Sequence, residues 1–199
     1  MDEETEFAMG ATASCVDGLG GKVSRVIIDP ATETVTHLVV QPKHRLGVGR
    51  LVPLDLVDLV DTTAGDIRLR CTVEEFGGLE AAQETELIDD VTAGLGLGGL
   101  NAPMGVISPV QPIVEDVVPL GEADVDRGDP VHALDGEIGR VRGLLVDPDD
   151  HRVTHVLLQE GHLWGRKQVS IPASAVTRVE DGIWLSLTKK QVEDLPPAD

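Results

Sequence analysis

The residues best equipped for chemistry in this 199-residue chain are histidines that come in pairs. VTHVLLQEGH, residues 153–162, carries His155 and His162 close to Glu160, and VTHLVVQPKH, residues 35–44, carries His37 and His44. Imidazole and carboxylate at such spacing suit a metal ion or general acid–base work. Yet both histidines recur after the same 118 residues, so their spacing is first a property of a repeat. His37 shares a strand face with Val35 and Val39, and His155 with Val153 and Leu157, the setting of hydrogen-bonded structural histidines. A metal needs three or four converging ligands, and two would meet only if both VTH strands faced one another across an interface.

Other candidates reduce in the same way. Cys15 and Cys71 align with Ala133 and Leu187 of the other copy, so they read as packing thiols. Residues 94–99, GLGLGG, fit the dinucleotide fingerprint, which works only where a strand turns into a helix. NAPMGVISP follows instead, so this stretch is linker. Asp147, Asp149 and Asp150 start like a calcium loop but lack its other ligands, and they read as a turn. What remains is a reversal of charge after each VTH strand. Lys43, His44, Arg45 and Arg50 stand in one copy, and His162, Trp164, Arg166 and Lys167 in the other. Such a loop suits an anionic group or a protein surface, or else the chain's own carboxylates. Trp164 and Arg166 replace Leu46 and Val48, so the second loop is the stronger contact candidate.

The elements that carry these residues are legible twice. Asp17-Gly18 matches Asp135-Gly136, Gly21 matches Gly139, Asp29-Pro30 matches Asp147-Pro148, and Gln41 matches Gln159. After a one-residue shift Pro53 matches Pro172, and after a deletion Ile67 and Leu69 match Ile183 and Leu185. VSRVIID and VRGLLVD are rich in branched residues and end in Asp-Pro, which favours a type I turn into the VTH strand. Short strands flank the bends at Pro53 and Pro172. Ile67, Leu69 and Cys71, like Ile183, Leu185 and Leu187, alternate inward, which sends Trp184 outward. Thr72 with Glu75, and Thr188 with Gln191, form capping boxes that open a short helix. Gly77-Gly78 and Pro196-Pro197 should stop the two helices.

Composition narrows the function classes. A formal net charge of −19 argues against nucleic acid and anionic membranes as partners. No apolar run approaches the roughly 20 residues that span a bilayer, and MDEETEF lacks the features of a signal peptide. Two cysteines do not make a disulfide framework, so a cytoplasmic protein is expected. With two Phe, two Trp and no Tyr, each small core is lean and should pack against its neighbour or the linker.

Together the DG-x-x-G-[KR]-V opening, the strand-Asp-Pro turn, the VTH strand, the proline-centred bend and the closing T-x-x-[EQ] helix resemble the PRC-barrel family. That fold is shared by the cytoplasmic part of the photosynthetic reaction-centre H subunit and by the C-terminal domain of a ribosome-maturation factor. The resemblance covers residues 10–80 and 121–197, the second copy being the sharper match, and it looks most like tandem bacterial PRC-barrel proteins without assigned catalysis. It implies an all-β chain of two small antiparallel barrels from an internal duplication, each closed by a short C-terminal helix. The first spans residues 8–80, an acidic Gly/Pro-rich linker residues 81–120, and the second residues 121–199. The expected function is non-catalytic binding or scaffolding through a protein partner or a second copy of the chain. No cofactor, metal or catalytic residue is expected. The contact surface is expected at His162, Trp164, Arg166, Lys167 and Trp184, with Lys43, His44, Arg45 and Arg50 as the first copy's share. The competing reading is a small-ligand sensor or enzyme with its site between the barrels.

Overall fold

The computed structural model describes residues 4–43, 48–63, 65–86, 113–159 and 169–195, and it is mostly β-structure. The strands are β1 (Thr5–Ala8), β2 (Thr12–Cys15), β3 (Gly18–Asp29), β4 (Thr34–Pro42), β5 (Arg50–Pro53), β6 (Val57–Thr63) and β7 (Asp66–Leu69). They continue with β8 (Gln83–Glu86), β9 (Ile113–Asp116), β10 (Ala123–Asp126), β11 (Pro130–Ala133), β12 (Gly136–Val146) and β13 (Val153–Gln159). The last three are β14 (Val169–Pro172), β15 (Val176–Val179) and β16 (Ile183–Leu185). Two short helices, α1 (Val73–Gly77) and α2 (Lys189–Glu193), follow β7 and β16. No helix among the described residues is long and apolar enough to cross a membrane.

Two curled sheets share one strand order. The first runs β5-β4-β3-β2-β7-β6 and the second β14-β13-β12-β11-β16-β15. An all-antiparallel arrangement is not what forms, because β2 runs parallel to β7 and β11 parallel to β16. The proline bends explain this. Pro53 and Val57 both keep extended backbone around the 3-10 turn Leu54–Leu56, so the chain kinks into β6 without reversing. The next hairpin then lays β7 beside β2 in the same direction. Pro172 and the turn Ala173–Ala175 do the same for β16.

The two long strands dictate how the sheets are joined. On one edge of β3, β2 pairs only with residues from Gly18 to Lys22, which leaves Arg25 to Ile28 beyond its reach. Unpaired backbone groups there would be costly. They are covered by β10, which pairs antiparallel from Ala123↔Ile28 to Asp126↔Arg25. In the second sheet β1 covers β12 from Thr5↔Val146 to Ala8↔Gly143. Each sheet thus receives the strand that leads into the other, and every counterpart is 118 residues away.

Several contacts lock this exchange. Gly10 and Gly128 stand where the chain crosses between sheets, with φ of 93° and 92°, a conformation that glycine adopts without steric cost. Their amides donate to the carbonyls of Val23 and Val141, their new sheet neighbours. At the hairpin tips Val35 N–H donates to the His151 carbonyl at 2.9 Å, and Val153 N–H to that of Glu33 at 2.8 Å. Arg25, only 5% exposed, reaches Asp124 at 3.2 Å and Asp126 at 3.8 Å on β10. Arg142 reaches Glu6 on β1 at 3.1 Å. One continuous core results, running from Phe7, Val26 and Leu38 to Leu144, Val156 and Ile183. It answers the leanness of each half, since neither must close a core alone.

The helices cap this core. Thr72 and Thr188 make the expected capping boxes, and Phe76 and Val192 are buried. Asp17 and Asp135, from the Asp-Gly turns, accept the first helical amides of Val73 and Lys189 at 2.7 and 2.8 Å. Past α1 the chain stays on the outer face of the first sheet. Ala82 is fully buried there with Ile27, Val39 and Leu51, against Val117 and Val118. Just beyond, β8 and β9 form an antiparallel ribbon. The helix stop at Pro196-Pro197 lies outside the described residues.

Gly143 tests the exchange directly, because a Cβ there would stand 2.7 Å from the Phe7 carbonyl oxygen, pushing β1 off β12. Gly143→Ala should lower stability by about 1–3 kcal/mol, read as a drop in the urea midpoint.

Candidate functional site

The VTH histidines lie where the exchanged segments leave their sheets. β4 and β13 present His37 and His155 on the outer sheet face, beside Thr36 and Thr154. Val35 turns into the core, because the β3–β4 pairing shifts register between Ile27 and Ile28. His37 Nδ1 lies 3.7 Å from Glu122 Oε2, and His155 Nδ1 lies 3.5 Å from Glu4 Oε1. Glu122 precedes β10 and Glu4 precedes β1, so each histidine faces the residue that introduces the foreign strand. Thr36 Oγ1 also donates to Glu122 Oε2 at 2.7 Å. Among the described residues no three His, Cys, Asp or Glu side chains gather as a metal ion would need. His155 Nδ1 also meets Thr154 Oγ1 at 3.2 Å, whereas the buried His37 Nδ1 has no hydrogen-bond partner, so the expected hydrogen bonding is seen in one copy and not in the other.

Cys15 and Cys71 are free and buried side by side under the first sheet. Burial first, then the neighbouring Cys71 thiol and Asp17, push the Cys15 thiol up to about 12. A thiol so held stays protonated at neutral pH and makes a poor nucleophile. It is a packing group.

The basic surface divides. His44, Arg45, His162, Trp164, Arg166 and Lys167 lie outside the described residues. Lys43 is exposed at the end of β4. Arg50 is turned inward along the chain, its Nη1 donating to the Leu79 carbonyl at 2.9 Å. Trp184 sits elsewhere. It belongs to β16, separated in the sheet from β13, which leads into the second loop, by β12 and β11.

Around Trp184 the structure assembles a group of its own. Its indole points outward and is 36% exposed, as alternation with buried Ile183 and Leu185 requires. His132 on β11 stacks against it, with ring centroids 4.3 Å apart and planes 19° from parallel. Arg178 on β15 places its guanidinium 4.8 Å from the ring centroid. The indole N–H donates to the Glu180 carbonyl at 3.3 Å, and Arg178 also reaches the Glu180 carboxylate at 3.5 Å. The register explains the assembly, because His132 and Arg178 both pair directly with Trp184. In the first sheet Ser14 and Arg68 occupy the places of His132 and Trp184, and both are bound to Asp66. The aromatic stack is thus particular to the second sheet. It offers a rigid flat ring, two nitrogen-rich groups and an open side. The sequence marked Trp184 through its alternation. It left His132 and Arg178 unmarked, since their meeting depends on the parallel β11–β16 pairing.

Asp129, just before β11, is a perturbed group and accepts the Asp126 amide at 2.8 Å. Its carboxyl lies above the ordinary aspartate range because of burial, reinforced by the charges of Asp124 and Asp181 and opposed by that amide. Perturbed carboxyls can mark active sites, but this one closes a turn whose counterpart in the first copy is Ala11.

No family model matches the chain, and no curated protein matches it.

A raised folded-state pKa means that the ionised form of Asp129 opposes folding. Asp129→Asn keeps the acceptor for Asp126 and removes that charge. The variant should therefore be more stable than the parent at neutral pH. Its advantage should fade as the pH falls through the raised pKa, and denaturant titrations at several pH values read both.

Proposed function

We propose that this chain is a non-catalytic binding or scaffolding protein that holds a protein partner on the exposed Trp184 stack. The observation carrying the reading is that stack itself, an indole fixed between His132 and Arg178 and open on its outer side. Trp and Arg are the side chains most enriched where interfaces concentrate their energy. A ring whose rotamer is already fixed loses little further entropy on binding. The basic loop after β13, with His162, Trp164, Arg166 and Lys167, belongs to the same proposal as a second contact region. A second copy of the chain is one partner that the reading admits.

The scaffold, on this reading, is a tandem of PRC-barrel-type modules that arose by internal duplication, with a cytoplasmic setting. Its supports are the common strand order, the pairings repeated at 118 residues, and the Asp-Gly, Asp-Pro, VTH and capping-box features in both copies. The reading of binding over catalysis is supported by the place of each VTH histidine against the glutamate that introduces the exchanged strand, and by the pairing of two buried free thiols.

The test is affinity capture from the host's lysate with the full chain as bait, followed by titration of the recovered partner. Trp184→Ala should keep the parent fold, because the ring lies on the outer sheet face and outside the core cluster, and should weaken that partner by about 30-fold, the equivalent of about 2 kcal/mol. A folded Trp184→Ala protein that binds its partner as tightly as the parent would overturn the proposal.

A further inference from the structure

A cleft of about 150 Å³ opens at the junction of the two sheets, on the side of the second. Its walls are the buried side chains of Val125 on β10, Leu144 on β12, Val156 on β13 and Ile183 on β16, with Ala173 from the turn before β15. The first sheet contributes Ile28 and, at the mouth, Pro30 and Glu33, while Thr177 and Arg178 form the other lip.

Comparison with the opposite side of the junction shows why room is left here. The counterpart of Val125 is Phe7, fully buried on β1, which packs against β6 just as β10 packs against β15. The counterpart of Ala173 is Leu54, 4% exposed, and that of Val156 is Leu38, fully buried. Three large side chains on one side thus correspond to three smaller ones on the other. Val26 and Val146, the counterparts of Leu144 and Ile28, differ in the opposite sense, each by a single methylene. Protein interiors ordinarily close such spaces, since unfilled volume forfeits dispersion contacts. Water gains little from an aliphatic wall, and a dry apolar cavity of about this volume accommodates a benzene-sized molecule. The exposed residues at the mouth give an entrance from solvent.

We propose that this cleft is a binding site for a small uncharged apolar molecule about the size of one six-membered ring. The charges at the mouth support an uncharged ligand. Glu33 and Arg178 bring opposite signs from the two sheets, and Arg178 is already engaged by Glu180 and the Trp184 ring. The site lies across the seam made by the exchanged strands, so an occupant would bridge both sheets. It stands independently of any protein partner, although Arg178 joins the cleft to the Trp184 stack.

The test uses the full-length protein, isotope-labelled for amide NMR, with toluene as the neutral probe and benzoate as the charged one. Toluene should give saturable shifts centred on Val125, Leu144, Val156 and Ala173, and benzoate should bind at least tenfold more weakly. Val125→Phe with Ala173→Leu copies the filled side, and should keep the parent fold while losing at least tenfold in toluene affinity. Should the Phe7-like ring unseat β10, Val156→Leu with Ala173→Leu fills the same space and leaves the exchanged strand untouched. The proposal is overturned if toluene leaves these amides unmoved or if a folded filled variant binds it as the parent does. Benzoate binding as tightly as toluene would equally overturn it.

Discussion

The structure depends on one mismatch of length. β3 and β12 are 12 and 11 residues long, whereas the hairpin partners β2 and β11 have four each. The far half of each long strand would present bare amides and carbonyls along an edge. Each edge is filled by the four-residue strand that opens the other half of the chain, and much else serves that pairing. The glycine crossovers let the chain leave one sheet for the other, and the hairpin tips bond across the seam. Arg25 and Arg142 meet carboxylates on the incoming strands, and the VTH histidines face the glutamates that precede them.

The exchange also accounts for how so lean a chain holds together. With few aromatic rings, each sheet alone would offer a core of valine, leucine and isoleucine too small for comfort. Joining the sheets makes one core and puts Phe7, one of only two phenylalanines, against Leu144 of the other sheet. Arg25 shows the electrostatic side of the same arrangement. A buried guanidinium is tolerable only with its charge and donors met, and Asp124 and Asp126 meet it from the foreign strand. In a chain of net charge −19, Arg25, the one buried cation among the described residues, sits at the seam. The two junction sides are nevertheless unequal, and the smaller side chains at Val125, Val156 and Ala173 leave the second side open.

Much of the local architecture could be read from residues alone. The Asp-Pro hairpins, the kinks at Pro53 and Pro172, the capping boxes and the outward Trp184 each rest on short-range rules, and each reading was available twice. The long-range features were not legible in that way. Because β1 and β10 are counterparts, either could satisfy either long strand, and nothing local says which copy a strand will join. The repeat that exposes the module therefore hides the exchange. The parallel β2–β7 and β11–β16 pairings were missed because a proline bend reads equally as a kink or a reversal. The same gap hid the site: His132 and Arg178 lie 52 and 6 residues from Trp184, and only the sheet register brings all three together. Asp17 and Asp135 were legible as turn residues, while their second task, accepting a helical amide, depends on where α1 and α2 dock.

Differential scanning calorimetry of the intact chain addresses the central claim most directly. If exchanged strands and a shared core bind the halves into one cooperative unit, heating should give a single transition whose calorimetric enthalpy equals its van't Hoff enthalpy. Two resolved transitions, or a calorimetric enthalpy near twice the van't Hoff value, would mean that the halves unfold independently and would contradict the account.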